Sequence, residues 1–234
     1  AVAMSYTSST TVQLTGNAYV NQNNQAIIRV KIVTTGAINA LTVSKLTLNA
    51  NGTSDIANIN ATTAKVYYTT NTTFSTATLF GSTTPTISDF EVSGTQALVE
   101  GDNYFWLTYD IIAGATQNNL IDGECTSITI SSASQTPTVS APSGSKTILS
   151  AMSGNYDIGA SQTFATLTAA SNDINTRGVS GAVTFTLASD YSSASETFPI
   201  TINQFTGVSA TNTLTIKPGT GVTAVISGAP ALSN

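Results

Sequence analysis

The sequence contains no histidine, only one cysteine and few charged residues, which make up 8% of its 234 residues. Without histidine, no Ser-His or Cys-His nucleophile pair can form, histidine-based zinc sites are excluded, and the commonest general base is missing. Seven Lys and Arg against twelve Asp and Glu give a net charge of −5, and the basic residues are scattered along the chain. Because nucleic-acid binding requires clustered Lys and Arg, we expect no nucleic-acid partner.

The single cysteine, Cys125, excludes an intrachain disulfide and a thiolate metal cluster. It follows the acidic Glu124 instead of a basic group that would lower the thiol pKa, and it leads into the strand-like run 128–130. We therefore expect a buried, unreactive thiol. The apolar runs are shorter than the roughly 18 residues of a membrane helix, and no signal-peptide pattern opens the chain. Membrane insertion is not expected, and an exported chain would already have lost its signal.

Hydroxyl side chains are abundant instead, since Ser and Thr supply roughly 30% of the residues, well above average usage. With 41% hydrophobic residues the chain is able to form a core. In the first half, short Thr-rich apolar runs alternate with Gly and Asn turns, which is typical of an antiparallel β-sandwich. The predicted strands are residues 4–12, 26–33, 41–48, 64–69, 102–111 and 120–132. The alternation shifts at Ser44 and Lys45, which indicates a β-bulge.

The segment 135–145 contains two prolines and small residues, and predicts either a domain boundary or a final edge strand of the sandwich. Beyond it, apolar residues at helical spacing predict a helix over 163–176, ended by Arg177 and Gly178. Short strands are predicted at 182–187, 197–203, 213–217 and 222–226. Short strands behind one helix are typical of the capped start of a β-solenoid, and an ordinary small α+β domain is the alternative.

The predicted fold class is therefore all-β. An antiparallel, immunoglobulin-like β-sandwich occupies residues 1–148, and a smaller β-solenoid-like domain with one capping helix occupies residues 149–234.

The densest group of acidic residues is Asp102, Asp110, Asp122 and Glu124. A calcium site would need six to eight oxygens from a compact source, and no D-x-D-x-D-G loop is present. A glycosidase would need two carboxyl groups facing each other across a cleft, and no spacing establishes such a pair. The run 100–103 is better explained as a turn. We expect no catalytic, cofactor-binding or metal-ligating residue in this chain, and no cofactor.

Aromatic residues offer a further candidate site, because Tyr and Trp rings stack on sugars as well as packing in cores. Tyr67 and Tyr68 are adjacent in a strand, so they point to opposite faces. Trp106 lies in a strand that is apolar on both faces, which favours core packing over ligand binding. The sequons at Asn51, Asn60 and Asn71 mark exposed loops only.

Several stretches resemble modules of large secreted and cell-surface proteins of Bacteroidota that use the type 9 secretion system. The first half is similar to the β-sandwich that precedes BNR-repeat sialidase-like domains, and the second half to the entry of a right-handed β-helix. The stretches that carry the resemblance are residues 55–57, 64–69, 80–82, 98–111, 122–129, 154–159, 164–170 and 198–202. The resemblance implies an extracellular or outer-surface location and a spacer or accessory role without catalysis.

We therefore expect a non-enzymatic, secreted or cell-surface segment with a structural or adhesive role. The predicted strands between residues 182 and 226 contain Lys217 as their one charged residue, and no sequence after Asn234 covers them. Residues 182–234 are thus expected to contact the rest of a longer chain or neighbouring copies, which would extend into a filament. Surface glycans are a further candidate partner. The alternative function is an N-terminal accessory region of a secreted carbohydrate-active enzyme.

Overall fold

The structure, a computed structural model, describes residues 2–228 and divides the chain into two compact units, residues 1–149 and 150–234. The strands of the first unit are β1 (Ser5–Gln13), β2 (Gly16–Tyr19), β3 (Gln25–Thr35), β4 (Thr42–Asn49), β5 (Ala64–Thr69), β6 (Leu79–Thr83), β7 (Phe90–Ala97), β8 (Gly101–Tyr109), β9 (Leu120–Ile121), β10 (Glu124–Ile130), β11 (Ala133–Gln135) and β12 (Lys146–Leu149). The second unit contains β13 (Met152–Ile158), α1 (Leu167–Arg177), β14 (Val179–Leu187) and β15 (Leu214–Pro218). Short 3-10 turns lie at Ile56–Asn58 and Ser193–Ser195.

The first unit is a β-sandwich. One sheet has the order β1-β3-β8-β5-β6 and the other the order β11-β10-β4-β7, and all neighbouring strands within both are antiparallel. A third, small sheet, β2-β12-β9, contains one parallel pair, β2 with β12. Both large sheets contribute to one hydrophobic core, which confirms the predicted sandwich.

The core follows from the period-two alternation of the strands. In β3, Ile28, Val30 and Ile32 are buried in the core, while Arg29 and Lys31 alternate with them on the other face. These β-branched side chains suit a pleated, half-buried surface. The bulge predicted at Ser44 is confirmed, because the pairing of β4 with β7 shifts register between Val43 and Lys45.

Two glycines allow the sandwich to close at one edge, where β6 of one sheet approaches β7 of the other. A Cβ at Gly81 would overlap the backbone oxygen of Ser93, and a Cβ at Gly94 would overlap that of Phe80. The two backbones approach too closely for a side chain at either position.

The segment 136–145 is part of the first unit and contacts its edge strand β1. Thr138 donates its N–H to Ser9 O (2.8 Å), and Thr11 donates its N–H to Val139 O (2.9 Å), so this segment hydrogen-bonds to the edge strand β1. The edge-strand alternative therefore describes its contacts better than a weakly packed linker does, although residues 136–145 do not form a regular strand.

The second unit is a three-stranded parallel sheet, β13-β14-β15, with α1 between its first two strands. The buried face of α1 carries Leu167, Ala170 and Ile174, which join the hydrophobic core of this unit. The side chain of Thr166 caps the helix by accepting the Ala169 N–H at 3.0 Å. Gly178, with φ at 67°, ends the helix as predicted.

Several predicted element boundaries are wrong. The helix begins at Leu167 instead of residue 163, because Thr166 is its cap. Residues 197–203 and 222–226 form no strand, since neither segment pairs with a neighbouring strand. The predicted strand 120–132 is two strands, β9 and β10, interrupted at residues 122–123. The C-terminal part of the predicted contact region, residues 229–234, lies outside the described residues.

In the part of the chain that the structure describes, no helix combines the length and the apolar character needed to cross a membrane.

Candidate functional site

The outer face of the five-stranded sheet carries aromatic and basic side chains in contact with one another. In the central strand β8, Phe105 and Leu107 point into the core, so Tyr104 and Trp106 lie on the opposite face. Trp106 is paired with Arg29 of β3 on one side and with Tyr67 of β5 on the other. The register therefore places a cation and two aromatic rings in one row across three strands.

Arg29 is stacked against this row. Its guanidinium carbon lies 5.2 Å from the ring centre of Tyr104 and 5.4 Å from that of Trp106. Both distances are within the range of a cation–π interaction. The Nε of Arg29 is buried and has no hydrogen-bond acceptor among the described residues.

The aromatic rings themselves are covered. Phe74, from the segment between β5 and β6, lies with its ring centre 5.7 Å from that of Trp106 and 5.9 Å from that of Tyr67. The indole N–H of Trp106 donates to Thr69 Oγ1 at 2.8 Å. Trp106 is only 3% exposed, as its strand pattern predicts, but it is buried on the outer face and not in the sandwich core. Its ring is thus unavailable as a sugar-stacking platform.

Ion pairs flank the aromatic row on both sides. Lys31 Nζ lies 2.7 Å from Asp102 Oδ2, which also accepts the hydroxyl of Tyr104 at 2.9 Å. These two hydrogen bonds, that from Lys31 first, hold the pKa of Asp102 below its usual value. On the other side, Lys65 Nζ lies 2.7 Å from Asp110 Oδ2, and Asp110 Oδ1 accepts the Asn24 N–H. Both lysines therefore have their charge balanced locally.

The four acidic residues that the sequence singled out do not form one site. Asp102 is the second residue of β8 and Asp110 directly follows its last residue. Each of the two is paired with a lysine. Asp122 and Glu124 lie beside β9 and β10, where Asp122 accepts the Gly123 N–H and Glu124 accepts the Asn51 side-chain amide. Burial raises the pKa of Asp122. Among residues 2–228, no three acidic or cysteine side chains group in a way that would hold a metal ion.

Cys125 is fully buried in the core of the sandwich. Burial raises the pKa of its thiol to about 12, so the reactive thiolate is scarce at neutral pH. The thiol is therefore structural, as expected. The sequon residues Asn51, Asn60 and Asn71 are all exposed, also as expected.

A second candidate site is the outermost strand of the parallel sheet. The register aligns Tyr156, Phe185 and Ile216 in one column across β13, β14 and β15. Tyr156 and Phe185 contact each other at 6.3 Å between ring centres, and Phe185 is fully buried. Ile216, the last member of the column, is 37% exposed because no strand follows β15 within the described residues.

Fold and surface together define a β-sandwich module joined in sequence to a parallel-sheet unit. The family model described as the N-terminal domain of BNR-repeat neuraminidase matches residues 12–134, from the end of β1 into β11. This match spans more than half of the chain, and the chain belongs to that family. The resemblance of the first half to the BNR-repeat-associated β-sandwich is thereby confirmed. A search of curated proteins gives no match.

The alternation of Ile28, Val30 and Ile32 with Arg29 and Lys31 places Arg29 on the outer face, but the sequence gives it no role. Its contacts come from Tyr104 and Trp106, more than seventy residues further along the chain. The sequence does contain one indication. Tyr104 and Trp106 are two positions apart and so share one face of their strand, as do the basic residues Arg29 and Lys31 of β3.

Proposed function

We propose that this chain is a non-catalytic structural module of an extracellular protein of the Bacteroidota type, exported through the type 9 secretion system. In this proposal the sandwich is an accessory domain, and the second unit is the entry of a right-handed β-helix that pairs with further protein. The family description, which names a neuraminidase, supports an accessory region of a secreted carbohydrate-active protein as the setting.

The order of the parallel sheet carries the proposal. Strands β13, β14 and β15 are neighbours in the order of the sequence, and all pairs are parallel. Tyr156, Phe185 and Ile216 follow one another at intervals of 29 and 31 residues. Sequential parallel strands at a nearly constant interval, with aligned interior side chains, are the arrangement of a solenoid, in which each coil contacts only its neighbours. Crossovers between parallel strands of one sheet are almost always right-handed.

Among residues 2–228 no strand pairs with the outer edge of β15, and this supports pairing with further protein. Val183 donates its N–H to Thr213 O, and Gly219 donates its N–H to Leu187 O, so Thr213 and Gly219, the residues on either side of β15, face β14. By alternation, Thr215 and Lys217 also face β14, while Leu214 and Ile216 direct their backbone groups away from it. Such a row of unpaired groups over an apolar interior is a template for strand addition.

The exposed apolar side chains of the second unit also support contact with further protein. Six large hydrophobic side chains between residues 198 and 226 are at least 37% exposed: Phe198, Ile202, Val208, Ile216, Val225 and Ile226. These side chains supply the apolar groups that a protein-contact surface beside β15 would need. The proposed contact region is thus the part of residues 182–228 that adjoins β15, and the occupant is an extended strand of a longer chain or of a second copy.

The absence of catalysis in the proposal is supported by the chemistry of the side chains. Histidine is missing from the sequence, and Cys125 is buried. The acidic residues of the outer sheet face, Asp102 and Asp110, are each held by a lysine. A turnover that survives repurification, and is abolished by changing one of these acids, would contradict this part of the proposal.

Hydrogen exchange tests the strand-addition part. We expect the Leu214 and Ile216 amides to exchange rapidly in a monodisperse 1–234 polypeptide and slowly in the native material, where further protein covers the edge. The Thr215 and Lys217 amides are the internal controls, because they face β14 and are protected in both samples. Equal protection of all four amides in the monomer would mean that the outer N–H groups of β15 are already hydrogen-bonded. Strand addition would then be rejected.

The variant Ile216→Pro sharpens this test. It removes an outward-facing N–H, and Pro218 already occupies an equivalent outward position in the same strand. We expect the variant to keep its protected β14 amides while losing the association of the native material. The matched control, Thr215→Pro, removes an N–H that faces β14 and should instead loosen the sheet itself.

A further inference from the structure

An amine, a carboxamide and a carboxylate from three separate segments meet at one end of the five-stranded sheet. Lys65 lies in β5, Asn24 directly precedes β3, and Asp110 directly follows β8. The Nζ of Lys65 donates to Asp110 Oδ2 at 2.7 Å and to Asn24 Oδ1 at 3.3 Å. The amine therefore contacts an acid and a carboxamide at the same time.

The fold holds these three groups in place. The backbone N–H of Asn24 donates to Asp110 Oδ1 at 2.7 Å, so the carboxylate contacts both other residues. Asn24 adopts a φ of 54°, a left-handed conformation that asparagine tolerates better than most residues. The side chain of Asp110 is only 8% exposed and that of Lys65 is 23% exposed. Groups fixed in this way react faster than free ones, because their orientation costs no further entropy.

A fourth side chain acts on the carbonyl oxygen of the carboxamide. The hydroxyl of Tyr67 donates to Asn24 Oδ1 at 2.9 Å. This oxygen is bonded to Cγ, the carbon that an amine would attack. A donor aimed at the oxygen stabilises the negative charge that develops there when a nucleophile adds to the carbon. The cluster thus contains a nucleophile, a base, an electrophile and a donor for the oxyanion.

We propose that Lys65 and Asn24 join in an intramolecular amide bond. The carboxylate of Asp110 takes a proton from the Lys65 ammonium, and the amine adds to Asn24 Cγ. A second proton passes through Asp110 from the lysine nitrogen to Asn24 Nδ2, the Cγ–Nδ2 bond breaks, and the nitrogen departs as ammonium. Two protons leave the lysine nitrogen and both depart with Nδ2, so Asp110 is regenerated. The step needs no oxidant, metal ion or other reactant.

The bond would tie together two strands that are not neighbours. In the order of the sheet, β8 lies between β3 and β5. The amide would connect the start of β3 to β5 across β8 and close the chain between residues 24 and 65. Such a closure restricts the unfolded chain as a disulfide does, and the single cysteine excludes an intrachain disulfide here. The reaction occurs once per chain, so it goes beyond the proposed function and is compatible with a non-catalytic module.

The mass of the purified 1–234 chain, measured after denaturation, tests the proposal. We expect a mass lower than that of the sequence by one ammonia. Lys65→Met and Asn24→Ala should have their full sequence masses, as should Asp110→Asn, because an amide does not accept the lysine proton. Lys31→Met is the matched control and should keep the deficit, since Lys31 forms its ion pair with Asp102.

Peptide mapping locates the bond. Trypsin does not cleave after an acylated lysine, so the digest should contain the peptide with Asn24 joined to the peptide with Lys65. Tyr67→Phe should form the same product about tenfold or more slowly, because it lacks the donor to the carbonyl oxygen. The rate is measured as the growth of the mass deficit after cell-free synthesis.

The sequence Asn51-Gly52 is a second source of ammonia loss, because an asparagine before glycine readily forms a succinimide. A succinimide takes up water at alkaline pH, whereas the amide does not. A folded wild-type chain with its full sequence mass would overturn the inference. So would a deficit that maps to Asn51, or one that persists in Lys65→Met.

The wild-type peptide map decides the question if the Asn24 or Asp110 variants do not fold: separate peptides overturn the inference and joined peptides support it. The inference does not depend on strand addition at β15. Failure of the mass test leaves the hydrogen-exchange test unaffected, and the reverse also holds.

Discussion

Phe185 and Ile216 occupy paired positions on adjacent parallel strands, yet Phe185 is fully buried and Ile216 is 37% exposed. The two side chains share one column of the second unit. The difference arises because β14 lies between two strands and β15 is at the end of the described sheet.

This relationship predicts unequal costs of truncation. Phe185→Ala should lower the stability of the second unit by about 3–5 kcal/mol, because it leaves a cavity in a packed core. Ile216→Ala, in the isolated chain, should cost about 1 kcal/mol or less. Hydrogen exchange of the β14 amides in the full chain measures both variants. Equal costs would show that Ile216 is already packed in the monomer.

Trp106→Ala should destabilise the first unit by about 3–5 kcal/mol, since it removes a buried ring that contacts Arg29 and Phe74. Leu79→Ala is the matched control, because Leu79 lies in the same cross-strand row beside Tyr67 but is 54% exposed. Denaturant unfolding followed by circular dichroism checks both variants. A Trp106→Ala variant that unfolds like the wild type would show that this ring contributes little to the stability of the first unit.

Gly81→Ala should destabilise the sandwich by about 1–3 kcal/mol through overpacking, because its Cβ would overlap Ser93 O where β6 meets β7. Gly114→Ala is the control, since a Cβ there has no atom within 4 Å and its φ is not positive. Thermal unfolding midpoints of the two variants give the comparison. Similar midpoints would mean that β6 and β7 separate at little cost.

Glu196 links a distant loop to the start of α1. Its contacts predict that the stability of the second unit depends on pH. Burial opposes its ionisation, but hydrogen bonds from the Thr168 side chain, the Thr168 N–H and the Leu167 N–H together lower its pKa. A pKa that is lower in the folded state stabilises the fold above the unfolded-state value and is lost as pH falls through the folded-state value. We expect the second unit to lose stability below pH 4.5, the ordinary value for this group.

The variant Glu196→Gln isolates this contribution. It should cost about 1 kcal/mol at neutral pH and flatten the acid dependence of the second unit. Asp157→Asn, an exposed carboxylate in β13, should leave the dependence unchanged. Amide exchange of α1 as a function of pH is the measurement. If the second unit of Glu196→Gln still loses stability at low pH as the wild type does, other titrating groups cause that loss.

Cys125 should remain unreactive towards Ellman's reagent in the folded chain, because its thiol is buried and its pKa is raised to about 12. Reaction should follow unfolding of the first unit, with the same dependence on denaturant as the tryptophan signal. Rapid labelling of the native chain would show that this part of the core opens locally.

The sequence was sufficient to predict the features that depend only on neighbouring residues. Alternation in β3 placed Ile28, Val30 and Ile32 inside, and the phase change at Ser44 revealed the bulge, because both depend only on the period of the strand. The sequence also predicted the end of the helix at Gly178. The predicted strands at 197–203 and 222–226 failed, since Val, Ile and Phe favour a strand only where a neighbour is available to pair with it.

Tertiary structure decided the rest, because it brings together residues that are far apart in the chain. Composition and alternation determined an all-β chain with an outward Arg29 and a buried Trp106, but only the pairing of β3 with β8 places the two side chains in contact. The shared acidic site was excluded in the same way, since Asp102 and Asp110 each meet a lysine from another strand. Strand register is set by long-range packing of whole sheets, and no single segment contains that information.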